Sequence, residues 1–262
     1  MSVYSSSEIR NSAALEAEAE FGLCCIEQFC MTLRADSSIL EVGSGPGLLL
    51  SNLQKNFPEL KFEGIEPHTS GYQGTKNKSY TGKTPIHNTH YEQFEAENKF
   101  DLVFSINVFE HLRDWKDFIN KAAIWLKPDG LFVVLCPNYS FPYESHYGLP
   151  IFFNKETTFR LFKKQIEKFD AENNTKGLWD TLNFVKKREI MGFVRNHDSF
   201  DYEDMLSIVG TMVDRVNSDD EFRSRHPFLA NCCALFVHLN LFYFAKFFRN
   251  YIPYMQIVLK KR

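Results

Sequence analysis

The chain has 262 residues, enough for one sizeable α/β domain with decoration, and its 30 Lys+Arg against 33 Asp+Glu exclude a general nucleic-acid binder, which needs a clear basic surplus. The six cysteines (Cys24, Cys25, Cys30, Cys136, Cys232 and Cys233) form no C-x-x-C, so neither a disulfide framework nor a zinc knuckle is indicated, and buried free thiols are expected. The opening "MSVYSSSEIR" lacks the basic start and apolar run of a signal peptide, so a cytoplasmic location is expected. In chain order, residues 12–32 read as a helix, rich in good formers and without internal proline. Short apolar runs then alternate with amphipathic stretches: strand 38–42, helix 47–56, strand 61–65, a polar Gly/Lys/Thr-rich loop, strands 84–88 and 100–106, helix 114–126 and strand 131–136. This alternation predicts a parallel sheet covered by helices on both faces. Asp114 is placed to cap the helix 114–126, Trp115, Phe118, Ile119, Ala122 and Leu126 recur on one face, and "KPDG" closes it.

After Cys136 the character changes. "PNYSFPYESHYGLPIFFN" carries three prolines and six Tyr/Phe residues, which predicts an ordered loop. A helix is expected from Asn154 to about Asp170, with Phe159, Phe162, Ile166 and Phe169 as its stripe, and another at 202–216 from Met205, Val209, Met212 and Val216. Residues 176–198 carry no assignable pattern, and "MQIVLKK" is expected to supply a last strand. "HPFLANCCALFVHLNLFYFA" has no charged residue, but Asn231, His238 and Asn240 are costly in lipid, which favours a buried or interfacial helix over a membrane span. Lys246, Arg249, Lys260, Lys261 and Arg262 follow without an acid, so peripheral membrane contact through 227–262 stands beside a plain surface terminus as a reading.

"ILEVGSGPGLLL" puts Gly43, Gly45 and Gly47 in a turn between the first strand and its helix, where a doubly wound sheet binds ligands and where missing Cβ atoms let a nucleoside approach the backbone. Glu66 ends the next strand, nineteen residues after Gly47, the position from which a carboxylate can accept both hydroxyls of a ribose. There is no G-x-x-x-x-G-K-[ST] and no G-x-G-x-x-G spacing, so a pyrophosphate-bearing nucleotide is not indicated.

With Glu66, "FDLVFSINVFEHLRD" and "LKPDGLFVVLCPN", the stretch "ILEVGSGPG" resembles the class I S-adenosylmethionine-dependent methyltransferases over roughly residues 35–140. The resemblance implies a Rossmann-like, doubly wound α/β core of the mostly parallel seven-stranded type, with helices on both faces and a helical C-terminal substrate cap. It implies a division into a cofactor-binding core at 1–140 and a substrate-side loop, cap and closing strand at 141–262, packed on the same core. By it, Glu41, Gly43, Ser44, Gly45 and Gly47 face the methionine part, Glu66 the ribose, His90, Tyr91 and Glu92 of "NTHYEQF" the adenine, and Ser105 and Asn107 line the cleft.

Two stretches compete for catalysis. "PYESHYGLP" follows the fifth strand, which makes His146 the favoured general base, with Tyr143 and Glu144 as orienting or substrate-binding groups. "NVFEHL" places Glu110 and His111 beyond the fourth strand; the quinone-biosynthesis O-methyltransferases, the subgroup closest in style, and small-RNA 2′-O-methyltransferases have E-x-x-E-H there, gathering a divalent cation. Here Asn107 replaces the first acid, and Glu110, His111 and His146 are the candidate ligands. No N-P-P-[YF] follows the fourth strand, which favours oxygen over amide nitrogen as acceptor, on a small or lipid- or glycan-linked molecule. The rivals are a catalytically silent S-adenosylmethionine-binding partner and a nicotinamide-dependent oxidoreductase.

Overall fold

The computed structural model describes residues 6–67, 84–173, 175–203, 207–239 and 248–262. The expected polar loop between the second and third strands lies mostly at 68–83, outside the described residues. The chain opens with α1 (Ser6–Cys30), β1 (Ser38–Val42), α2 (Leu48–Asn56), β2 (Lys61–Ile65) and β3 (Ile86–His87), then β4 (Phe100–Ile106), α3 (Trp115–Trp125) and β5 (Leu126–Pro137). A small hairpin, β6 (Tyr143–Glu144) with β7 (Leu149–Pro150), leads to the helices α4 (Lys155–Asn173), α5 (Leu178–Thr181) and α6 (Lys187–Val194). The remainder is β8 (Phe200–Glu203), α7 (Ser207–Ser218), α8 (Asp220–Arg225), α9 (Pro227–His238) and β9 (Tyr254–Lys261).

Seven strands form one sheet in the order β3-β2-β1-β4-β5-β9-β8. The first five are parallel, and β9 runs antiparallel between β5 and β8. Successive side chains feed opposite faces, as the strand pleat requires. Leu40, Val134 and Cys136 join Phe118 and Trp125 of α3 with Ile190 and Val194 of α6, whereas Ile39, Val133 and Leu135 join Cys25, Ile26 and Phe29 of α1 with Leu50 and Leu53 of α2. Burying each large side chain contributes ~1.5–3 kcal/mol, and both faces of the sheet are covered in this way.

Asp114 caps α3 as expected, its Oδ1 accepting the N–H groups of Lys116 and Asp117 at 3.1 and 3.0 Å. "KPDG" differs from expectation: it lies within β5, where pairing with β4 shifts register between Phe100/Leu126 and Leu102/Leu131, and Asp129 takes a φ of +64°. The expected helix over 202–216 is corrected more deeply. Phe200–Glu203 is an edge strand, Phe-Asp-Tyr-Glu alternating between buried and outward residues, and the helix begins at Ser207; Met205 lies outside the described residues. The thiols are also mixed, with Cys25, Cys30 and Cys136 buried but Cys24 and Cys232 exposed.

Beyond β5, Ile166 of α4 packs with Leu149, Trp179 and Leu182, and Val216, Phe222 and Leu229 of α7, α8 and α9 enclose Tyr143. In α9 only Leu229 is buried, while Phe228, Leu235 and Val237 are exposed, so this apolar helix does not fill a core. Among the described residues no helix is long and apolar enough to cross a membrane.

Candidate cofactor and catalytic site

The glycine turn is fastened to the neighbouring strand, with Gly43 and Ser44 donating backbone N–H groups to Ile65 O at 2.8 and 3.2 Å. All three glycines have positive φ, but for different purposes. A Cβ on Gly43 would lie 2.2 Å from Cγ2 of Val108, so this glycine exists for packing; a Cβ on Gly45 would meet nothing within 4 Å, so there the backbone is bare toward open space. Gly47 is the left-handed residue from which α2 starts. Gly64, which the sequence did not single out, has the same importance: a Cβ there would lie 2.6 Å from Ser44 Oγ and 2.8 Å from Leu50.

Two acids converge on this turn. Glu66 accepts the Gly45 N–H at 3.0 Å. Glu41 is buried with no hydrogen-bond partner for Oε2 among the described residues, and burial, then the charge of Glu66, push its carboxyl up to about 8. The hydroxyls of Ser44 and Ser105 are likewise buried with no hydrogen-bond partner among the described residues.

Asn107 follows β4 with a φ of +54°, a conformation Asn tolerates. Its side chain donates to Glu18 Oε2 at 3.2 Å and accepts from the Tyr254 hydroxyl at 2.7 Å. Glu18 in turn receives Arg215 at 2.6 Å and Arg225 at 3.3 Å, which ties α1, α7 and α8 to the end of β4. Of the three adenine candidates, His90 and Glu92 are exposed. Tyr91 turns into the core instead, edge-on to Phe118 at 5.0 Å, with its hydroxyl donating to Asp114 O.

The catalytic candidates meet where the short 3-10 turn Phe109–His111 faces the β6–β7 hairpin. Glu110 is fully buried and, among the described residues, neither carboxylate oxygen accepts a hydrogen bond; burial outweighs the nearby His146 and pushes it up to about 7. Glu110 Oε1 stands 3.9 Å from Nε2 of both His111 and His146, and the two imidazole rings meet edge-on at 5.1 Å. One ligating atom from each of the three residues lies within 4.8 Å of the other two.

Each imidazole is held through its far nitrogen. His146 Nδ1 is 2.7 Å from Glu144 Oε1; this buried carboxylate is kept below its usual range by its bonds from His146 and the Tyr147 and His146 N–H groups, despite burial, so Nδ1 donates and Nε2 is left open. His111 Nδ1 is 2.9 Å from Thr181 Oγ1, whose own proton goes to Leu178 O, so again Nε2 is the open nitrogen. Burial, then the neighbouring His146, lower His111 to about 4 and keep it neutral, while Glu144 and Glu110 raise His146 against the effect of burial.

Tyr143, grouped with these two by sequence, points elsewhere: its ring stacks on Phe228 of α9 at 5.5 Å and packs with Val216, Phe222 and Leu229. The sequence missed Thr181 and Asn183. Asn183 donates to Phe109 O at 2.7 Å and Leu112 O at 3.1 Å, and its N–H reaches Glu110 O at 2.7 Å, so one residue clamps the whole 3-10 turn. Both lie in the stretch without periodicity, where no local signal distinguishes them.

Comparison with known proteins agrees with this geometry. A family model described as a methyltransferase domain matches residues 24–181. The chain belongs to that family. Its sheet order is that of the class I S-adenosylmethionine-dependent methyltransferase fold, which solved structures share. The methyltransferase is 29% identical over 217 residues to an uncharacterized protein of Mycobacterium tuberculosis, covering 80% of this chain and 73% of that one. It is 31% identical over 98 residues to a ubiquinone biosynthesis O-methyltransferase of Bradyrhizobium, covering 37% of this chain and 38% of that one. Geranyl diphosphate C-methyltransferase from Streptomyces coelicolor shares the fold at a TM-score of 0.55 and 12% identity, over 94% of this chain and 76% of that one. The plantazolicin methyltransferase BpumL does so at 0.54 and 12%, over 98% and 89%.

Proposed function

We propose that this methyltransferase moves a methyl group from S-adenosylmethionine to an oxygen of a small or lipid- or glycan-linked acceptor, with His146 taking the acceptor's proton. The observation that carries this reading is the Glu144–His146 contact of 2.7 Å, which fixes the imidazole with Nε2 toward Glu110. Methyl transfer from a sulfonium is an in-line displacement, so alignment supplies much of the rate and a base completes the activation of a hydroxyl.

The residues at the glycine turn fit the cofactor. Gly45 leaves its backbone bare, Glu66 reaches the same turn, and Glu41, Ser44 and Ser105 carry buried polar atoms without partners at the carboxyl ends of the strands. Glu66 would take the ribose hydroxyls, and Gly43–Gly47 with Glu41 the methionine part; Asn107, His90 and Glu92 would border the cleft, with Tyr91 supporting them from the core.

Glu110, His111 and His146 also fit a divalent cation: the Nε2 atoms of two imidazoles oppose a carboxylate that accepts no hydrogen bond among the described residues, and both imidazoles are oriented from behind. A cation held there would use the His146 Nε2 lone pair and so stand in place of His146 as base, by lowering the pKa of an acceptor hydroxyl bound to it. Peripheral contact with a membrane is part of the same reading, supported by the exposed Phe228, Leu235 and Leu239; of the expected span 227–262, β9 takes no part, being buried between β5 and β8.

The test is methyl transfer from labelled S-adenosylmethionine to cell extract, with wild type and His146→Ala, each with and without excess chelator. Labelling that persists undiminished in His146→Ala removes the base assignment, and full wild-type activity in chelator removes the cation. Calorimetric titration with S-adenosylmethionine and with a nicotinamide dinucleotide separates the oxidoreductase alternative independently.

A further inference from the structure

α1 comes close to the glycine turn at one point. A Cβ on Gly22 would lie 2.7 Å from Leu49 Cδ2 of α2 and 3.1 Å from Ile106 Cδ1 at the end of β4, so two helices and a strand meet there without room for a side chain. Glu18 precedes Gly22 by one helical turn and shares its face. It reaches Asn107, the residue after Ile106, and its Oε2 accepts from Asn107 Nδ2 at 3.2 Å. Phe21 of the same helix packs edge-on to Tyr254 at 5.5 Å, and the Tyr254 hydroxyl donates to Asn107 Oδ1 at 2.7 Å.

Both ends of the Asn107 amide are thus engaged, in a residue whose left-handed backbone persists only if its surroundings hold it. That backbone sets the place of Val108. Cγ2 of Val108 stands 2.2 Å from where a Cβ on Gly43 would be, so Val108 packs directly on the glycine turn, and Gly43 is fastened to Ile65 beside Glu66. Contact therefore runs from Glu18 through Asn107 and Val108 to Gly43. Glu18 itself is anchored on its other side, where Oε1 accepts from Arg215 of α7 at 2.6 Å and Arg225 of α8 at 3.3 Å. Arg215 is buried, also binds Asp219 at 3.2 Å, and lies 4.3 and 4.4 Å from the ring centroids of Phe21 and Phe222. Charge-assisted bonds of this kind make the carboxylate a fixed point.

We propose that Glu18 is a positioning residue for the cofactor site, holding Asn107 in the left-handed conformation that seats Val108 against the Gly43–Gly47 turn. This rests on the reading that the turn takes S-adenosylmethionine. Glu18, Arg215 and Arg225 all lie outside residues 24–181, which the family model matches, so that match assigns them no part. The same carboxylate joins α7 and α8, which pack around Tyr143, to the glycine turn.

The experiment is a double-mutant cycle on the intact protein, read as calorimetric affinity for S-adenosylmethionine and as urea midpoint, without methyl transfer. Glu18→Ala removes the hold from α1, and Asn107→Gly supplies a backbone that enters the left-handed region with no side chain to hold. Glu18→Ala is expected to weaken S-adenosylmethionine about 3–10-fold, the worth of one hydrogen bond. In the Asn107→Gly background it should change the affinity no further, while still lowering the urea midpoint by releasing Arg215. A merely structural Glu18 would lower the midpoint in both backgrounds and the affinity in neither, or the affinity equally in both; either result overturns the proposal. Where Glu18→Ala does not fold, Glu18→Gln replaces it, since one carbonyl oxygen then stands for the two that face Asn107 and the arginines separately. A wild type that binds no S-adenosylmethionine removes the cofactor reading and the proposal together, whereas wild-type binding with additive losses removes the proposal alone.

Discussion

Glu144 and His146 are two residues apart in the chain, and one Glu144 oxygen accepts both the backbone N–H of His146 at 3.1 Å and its Nδ1–H at 2.7 Å. The carboxylate thus sets both where the imidazole is and which nitrogen it presents. His146→Ala is expected to lower methyl transfer ~10²–10⁴-fold, the range of a lost general base. Glu144→Gln should act through His146, shifting the pH profile of the rate as well as its height. An unshifted profile in Glu144→Gln, measured as kcat against pH, would limit Glu144 to a structural role.

The glycines of the turn are separable by experiment. Gly43→Ala drives a methyl into Val108 and is expected to cost ~1–3 kcal/mol for overpacking in addition to ~1–2 for its left-handed backbone. Gly45→Ala carries only the backbone cost, yet should weaken S-adenosylmethionine the more. Urea midpoints and calorimetric affinities for the two variants give the comparison; a Gly45→Ala protein with wild-type affinity contradicts the assignment.

Glu41 predicts a pH dependence of stability with a definite sign. Its folded carboxyl lies near 8, above the ordinary value of about 4.5, so the folded state prefers the protonated form. The contribution is fully present below about 4.5 and is lost as pH rises through about 8, at up to ~1.4 kcal/mol per pH unit. Urea midpoints of the ligand-free protein should fall across this window, and Glu41→Gln should flatten the slope.

Metal binding has a readout independent of activity. If Glu110, His111 and His146 hold a cation, Mn²⁺ or Zn²⁺ should raise the melting temperature of wild type, by the equivalent of ~2.7 kcal/mol at one hundred times Kd. The gain should vanish in Glu110→Gln and His111→Ala. An equal gain in all three proteins places the ion elsewhere.

Asn183→Ala removes the side-chain bonds to Phe109 O, Leu112 O and the Val185 N–H. At ~0.5–1.5 kcal/mol each, a loss of ~2–4 kcal/mol is expected in urea unfolding. The Phe109–His111 turn should loosen with it, so methyl transfer should fall although Asn183 touches no reacting atom.

Much of this was legible in the chain. The bounds of β1, β2 and β4 follow from apolar runs closed by turn residues, Asp114 caps as its position predicts, and the sequence had already grouped Glu110, His111 and His146, which the fold brings together. What it could not show depends on contacts distant in sequence. Thr181 and Asn183 act from a stretch with no periodic pattern, and Tyr91 reads as an adenine-contact candidate until Phe118 is seen against it. The four residues of β8 are too few to outweigh the helical pattern that follows them, and Tyr143 differs from its neighbours only because α9 lies beside it.

The placement of β9 also constrains how the protein is made. During synthesis every helix and strand up to residue 253 leaves the ribosome while β5 still presents an open hydrogen-bonding edge along Leu131–Pro137, a ready template for wrong partners. Only when residues 254–261 emerge is that edge closed, and only then does Tyr254 reach Asn107. The cleft is thus completed only once β9 has paired with β5 and β8.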